Sequence, residues 1–254
     1  MPFAWKGISI QMKKLFALIL LLYSMNATAQ FNDSVTYMIK VAATGNLNRT
    51  NDGLTYLFNN SAQFSVKKKR FTLNSNNSWV YGNALNKLTN NDVVSTLDFN
   101  FYSKKFKNLY YWGLVNFTSS YSLKINEQLQ NGLGLAYRFI NQDGVMLSLS
   151  DGILFEHSNI IQEDNTELMY ETFRNSLRLQ FNYKYKELLT FTSQGFWQPS
   201  LSYGNDYIIT ANASLAIKIW KWMSLTTAVN YNRLSRTDKE NLTFTYGIVA
   251  QRFF

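Results

Sequence analysis

Residues 155–161 read FEHSNII and hold the only histidine of the chain, His157, followed by Ser158 and Asn159. A histidine beside a serine suggests a general base and its nucleophile, which acyl transfer needs within hydrogen-bond reach. On an extended strand, however, neighbouring side chains leave on opposite faces. His157 and Ser158 therefore diverge, an interfacial histidine is the simpler reading, and no catalytic residue is assigned. The GLG at 132–134 lacks the third glycine and following helix of a dinucleotide loop, and reads as small inward residues relieving crowding. One histidine and no cysteine leave no transition-metal constellation, no thiolate site and no disulfide. No cofactor or metal is expected.

The remaining candidates are charges: Lys40, Asp98, Arg138, Glu156, Arg174 and Arg178. Each falls on the polar parity of a segment that alternates apolar and polar residues. Pairing the seventh and eighth of these segments with residue numbers summing to about 330 sets Glu156 opposite Arg174 and Gly152 opposite Arg178. Such a set could line a narrow pore and bias it toward anions, or fill an interior as ion pairs. The second is favoured if the interior is small.

What positions these residues is a succession of about twelve strand-like segments. Val35–Asn48 puts Tyr37, Ile39, Val41 and Leu47 on one face. Leu54–Lys67 opposes Tyr56, Phe58 and Phe64 to Asn59, Ser61 and Gln63. Phe71–Tyr81 is less regular, with Ser75 and Asn77 on the apolar parity, and Leu109–Tyr121 is apolar on both faces. Val93–Tyr102, the segment around Leu133–Phe139, Val145–Glu156, Tyr170–Lys184, Leu188–Trp197, Tyr207–Ile219, Met223–Leu234 and Leu242–Phe254 complete the set. A period of two makes one face apolar throughout. In water that face would need a second sheet or helices, and no helical pattern is visible. Lipid would cover it directly, and closure would satisfy every backbone group. The expected fold is all-β: a transmembrane antiparallel up-and-down barrel of about twelve strands.

The front of the chain agrees. From Met12 it reads MKKLFALILLLYSMNATAQ, with Lys13 and Lys14 before an apolar run and Ala27-Thr28-Ala29 as a small-residue cleavage site. Residues 1–29 are expected to be a leader, with translation starting at Met12, and 30–254 a single barrel domain. Three of the 25 Lys and Arg lie in the leader, so the net charge falls from +9 to +6 in the mature chain. The basic residues cluster in turns separated by strands, at 67–70, 103–108, 184–187 and 218–222, so no nucleic-acid groove is expected. Connections after odd-numbered segments, such as 84–91 and 159–169, read as longer and polar. An even strand count would put both termini on the periplasmic side. Trp220, Trp222 and Tyr183 are expected to anchor that interface. The terminal Phe254 would close the last strand there and serve as the signal to the barrel insertion machinery.

Several motifs carry a family resemblance: NGLGLAYRF at 131–139, LSDGILFEH at 149–157, FRNSLRLQFNYKY at 173–185, GFWQPSLSYGNDYII at 195–209 and the closing GIVAQRFF. They resemble the salt-induced outer-membrane protein family, a domain of unknown function, over roughly the C-terminal half. The resemblance implies an outer-membrane barrel in a Gram-negative-type envelope and no established activity. The expected role is structural or in envelope stress, with narrow-pore passage of small solutes, as a monomer in contact with outer-membrane lipid. The alternatives are a lipid-modifying hydrolase of the phospholipase or lipid A deacylase type, or a dedicated solute channel. The hydrolases that His157 and Ser158 bring to mind place one residue between histidine and serine, and this chain does not.

Overall fold

The computed structural model describes residues 36–50 and 53–253. Residues 1–29, expected to be a leader, and Phe254 lie outside the described residues. Thirteen strand segments follow one another: β1 Tyr37–Thr50, β2 Gly53–Lys68, β3 Phe71–Ala84, β4 Lys87–Tyr102, β5 Leu109–Ser120, β6 Ile125–Gln142, β7 Val145–Ile161, β8 Glu167–Asn175, β9 Leu177–Tyr185, β10 Leu189–Pro199, β11 Tyr207–Trp220, β12 Met223–Leu234 and β13 Lys239–Phe253. Segments β8 and β9 are one stave. Both pair with β7, and the Ser176 amide between them still donates to the Gly152 carbonyl at 2.8 Å. Counting them once gives twelve antiparallel staves, each paired with its chain neighbours. β1 and β13 complete the ring from Met38↔Phe253 to Gly45↔Tyr246. The sheet has no free edge, so its backbone donors and acceptors are used internally.

Alternation decides which face is which. Leu133, Leu135, Tyr137 and Phe139 of β6 point outward and exposed, while Ala136 is buried and Gly132 and Gly134 face in. On β13, Phe244 and Tyr246 are 56% and 54% exposed, and Thr245 between them is fully buried. The molecule is thus inside-out relative to a water-soluble sandwich: large apolar side chains cover the outside and hydroxyls, amides and charges fill the inside. An apolar belt of this extent is stable when hydrocarbon covers it.

The two irregular segments follow the same rule. β5 is apolar on both faces because Tyr110, Trp112 and Leu114 pack inside against Ala136 and Leu154, while Tyr111, Val115 and Phe117 face out. On β3, the outward Asn77 donates to Ser75 at 3.2 Å and accepts from Ser95 at 2.7 Å, so these polar groups satisfy one another. The inward glycines make room for one ring. A Cβ on Gly134 or Gly152 would lie 2.6 or 2.5 Å from Trp112 Cζ2.

Two expectations need correction. The connections read as 84–91 and 159–169 contract to residues 85–86 and 162–166, because β4 begins at Lys87, β7 continues to Ile161 and β8 begins at Glu167. These strand ends rise above the apolar belt, where, Met169 apart, the outward side chains on this hairpin are largely polar: His157 bonds Glu171 at 3.1 Å and Asn159 bonds Glu167 at 3.1 Å. Hydrophobic alternation therefore stops before the strand does. The second correction is register. Glu156 pairs with Thr172, Leu154 with Arg174 and Ser150 with Arg178, two residues away from the expected pairing of Glu156 with Arg174 and Gly152 with Arg178. A slip of two preserves every inward and outward assignment, so alternation alone does not distinguish the two registers.

Candidate functional site

The interior of the β6–β10 half is built around Arg174. Its position on β8 points it inward, and neither it nor Glu156 has any exposed surface. Glu156 sits two residues along from the direct partner of Arg174, so the long guanidinium reaches diagonally. Nε meets Glu156 Oε2 at 2.6 Å and Nη2 meets Oε1 at 2.9 Å, a bidentate fork. Nη2 also contacts both Asp206 oxygens at 3.0 Å, and Nη1 donates to the Gln198 carbonyl at 3.2 Å. Glu156 further accepts from Gln130 at 2.7 Å, Tyr170 OH at 2.7 Å and Ser158 Oγ at 3.2 Å. Asp206 in turn holds Arg236 Nε at 2.7 Å. The Arg236 guanidinium lies 3.9 Å from the Tyr170 ring centre and 4.5 Å from that of Tyr203. Two cations and two anions balance in this chain of contacts. Its charge is spent internally rather than presented to a passing ion.

Asp206 and Arg236 come from loops, so the same network draws those loops into the mouth opposite the start of β1 and the end of β13. Residues 200–206 are pinned by Thr172 and Ser200, whose hydroxyls lie 2.6 Å apart. From the opposite wall, the 121–124 turn is held by Asp92, which accepts from the Ser122 amide at 3.0 Å, Ser122 Oγ at 2.7 Å and Ser120 Oγ at 2.9 Å. The two sides meet. Thr237 Oγ1 donates to the Leu123 carbonyl at 3.1 Å, and Asn241 Nδ2 to Ser122 Oγ at 2.8 Å. β5 and β12, which lead into these turns, stand six staves apart whichever way the ring is counted. The contacts therefore cross the full diameter of the barrel. Ile125, Ile160, Tyr170 and Leu234 pack with Leu123, Leu168 and Ile208 as an apolar layer there.

The other candidate charges fall inside but apart from this cluster. Arg138 does not join Glu156; its guanidinium stacks 4.6 Å from Tyr102 and 5.1 Å from Tyr110, and its Nε is buried without a hydrogen bond. Arg178 donates to Ser150 Oγ at 3.1 Å and faces the Phe196 ring at 5.7 Å. Asp98 is held by Asn74 at 2.7 Å, Asn76 at 3.2 Å and Asn100 at 3.3 Å. Lys40, inward on β1 between Gln63 and Gln251, makes no ion pair among the described residues. Around Lys40 and Asp98, the β1–β3 and β10–β12 wall is lined by Ser61, Asn74, Asn76, Thr192, Asn212 and Ser214, all partly exposed to the lumen. Trp220, Trp222 and Tyr183 are exposed on the outer surface at the basic end.

Asp92, Asp206, Arg236, Tyr170 and Tyr203 were not foreseen from sequence. Tyr203, Asp206 and Arg236 lie outside the strands, where no periodicity marks a direction, whereas Asp92 and Tyr170 lie on β4 and β8; SYGNDY at 202–207 reads as an ordinary polar loop. His157 and Ser158 do diverge: His157 bonds Glu171 outside, and Ser158 is fully buried against Glu156. No group of three or more potential ligands that could hold a metal occurs among the described residues.

Residues 41–249 match the family described as "Protein of unknown function, DUF481". The chain belongs to this family. The DUF481 match extends across the first strands, beyond the C-terminal half that the motifs above single out. Among solved structures, the NanC porin is 9% identical, with 84% of this chain and 99% of that one covered and a TM-score of 0.54. An outer membrane channel from Pseudomonas putida F1 is 11% identical, covering 90% and 100%, with a TM-score of 0.49. The translocator domain of the autotransporter NalP from Neisseria meningitidis is 11% identical, covering 96% and 95%, with a TM-score of 0.48. At such identities the NanC likeness speaks for a shared barrel architecture of the porin type. Among curated proteins none matches this chain.

Proposed function

We infer that this DUF481 protein is an integral outer-membrane barrel with a structural, envelope-stress role whose lumen admits at most small hydrophilic solutes. The observation that carries this reading is the occluded mouth: loops from opposite walls meet across the diameter, over a buried ion network that spends its own charge. Interior pairs of this kind support a filled barrel better than a selective filter. The name salt-induced rests on the motifs at 131–139, 149–157, 173–185 and 195–209, and the envelope-stress role is proposed with it. A cleaved leader at 1–29, recognition of Phe254 by the insertion machinery and a monomeric state belong to the same proposal.

One observation favours a dedicated solute channel as the second reading. The wall of uncharged hydroxyls and amides on β1–β3 and β10–β12 suits a hydrophilic solute once the mouth opens. Lipid hydrolysis gains nothing from the geometry, because the histidine and serine point to opposite sides of the wall.

Planar bilayer recording separates these readings. The purified protein is expected to give rare, small conductance steps, and Arg236→Ala, which removes the ion pair between the 200–206 and 235–238 loops, to give larger and more frequent ones. Large steady steps from the unaltered protein would favour the channel. Silence accompanied by phospholipid turnover would favour the hydrolase.

A further inference from the structure

The basic end carries a cleft that the interior account does not use. It has a volume of about 490 Å³ and opens on the outer rim between the β9–β10 and β11–β12 turns. β11 runs past the start of β10 there; the Lys218 amide still donates to the Leu188 carbonyl at 2.7 Å, and a bulge between Lys218 and Trp220 then re-aims the chain. Bulges do this at barrel rims. As a result Ile219 and Trp220, though adjacent, are both exposed, at 54% and 59%, and with Leu188 they form an apolar wall. Lys186 and Glu187 occupy a tight turn with φ of 43° and 57°.

The charges around that wall do not balance. Lys186, Lys218 and Lys221 line the cleft against one acid, Glu187. Lys218 is paired with Glu187 at 3.2 Å. Lys186 rests over the Tyr185 ring at 5.3 Å, and Lys221 has no ion pair among the described residues. Two ammonium groups are therefore left beside an apolar floor at the same end as the exposed Trp220, Trp222 and Tyr183. A free anion would use the ammonium groups and waste the floor, and an uncharged lipid the reverse. A phosphodiester headgroup carrying its first acyl methylenes uses both.

We propose that the Lys186–Lys221 cleft binds the headgroup of an anionic phospholipid, with its glycerol and upper chains against Leu188, Ile219 and Trp220. This rests on the membrane reading above and adds to it a site and a lipid class. Each ammonium close to an anionic headgroup is worth about fivefold in affinity. The test titrates delipidated full-length protein in neutral detergent with phosphatidylglycerol, phosphatidylcholine or inorganic phosphate, counting bound ligand by native mass spectrometry. Phosphatidylglycerol is expected to bind about tenfold or more tighter than phosphatidylcholine. Lys186→Ala/Lys221→Ala should abolish that preference, and Lys67→Ala/Lys69→Ala, equally basic but outside the cleft, should keep it. Unheated gel mobility verifies the barrel in each variant. Equal binding of the two lipids, equal losses in both double variants, or displacement of lipid by millimolar phosphate would overturn the proposal. A wild-type protein that is compact and soluble without detergent would instead bring down the membrane reading, and this inference with it.

Discussion

Arg174 spends nearly all its hydrogen-bonding capacity inside the wall, on Glu156, Asp206 and the Gln198 carbonyl. Removing one member of a buried pair strands its partner in a low dielectric, at a cost of about 3–5 kcal/mol. Arg174→Met should lower unfolding stability in urea by that order, measured by tryptophan fluorescence in micelles. The double variant Glu156→Leu/Arg174→Met should cost less than the single one, because Asp206 and Arg236 remain balanced against each other at 2.7 Å. Equal losses would mean that the fork contributes no more than packing. Gly152 makes a second residue-scale case. A methyl there would meet Trp112 Cζ2 at 2.5 Å and the Leu133 carbonyl oxygen at 2.5 Å. Gly152→Ala should cost about 1–3 kcal/mol through overpacking, and Trp112→Phe on the same background should recover part of it.

At the scale of elements, the two-residue difference on β7 and β8 can be tested directly, since the chain has no cysteine to interfere. His157→Cys with Glu171→Cys, a paired position, should cross-link on oxidation. His157→Cys with Phe173→Cys, the pair that a sum of 330 would require, should not. Strand direction and facing were legible because the belt from Leu129 to Phe139, or from Leu242 to Ile248, must keep its apolar side on one parity. Register was not, because shifting Glu156 from Thr172 to Arg174 changes no side chain's face. Strand ends were underread for a related reason: above the belt, His157, Glu171 and Asn159 carry no apolar signal although the ladder continues beneath them. The loops were least legible. Nothing in the types of Asp206 or Arg236 says that they turn back into the barrel, since that follows from where Arg174 and Tyr170 wait for them.

The whole molecule is a closed ribbon with its polar groups turned in and its mouth latched. Latching and closure are separable. Thr237→Ala/Asn241→Ala removes both hydrogen bonds across the diameter and leaves all twelve staves paired, so conductance should rise while gel mobility and urea midpoint stay nearly unchanged. Closure and the lipid-covered exterior are tested most directly by a nitroxide scan along β13, one cysteine at a time from 242 to 249, in reconstituted bilayers. The structure predicts that collision with dissolved oxygen peaks at Leu242, Phe244, Tyr246 and Ile248 and falls at Thr243, Thr245, Gly247 and Val249. A profile without that alternation, or one in which a water-soluble relaxer reaches the Phe244 and Tyr246 positions as readily as the turns, would contradict it.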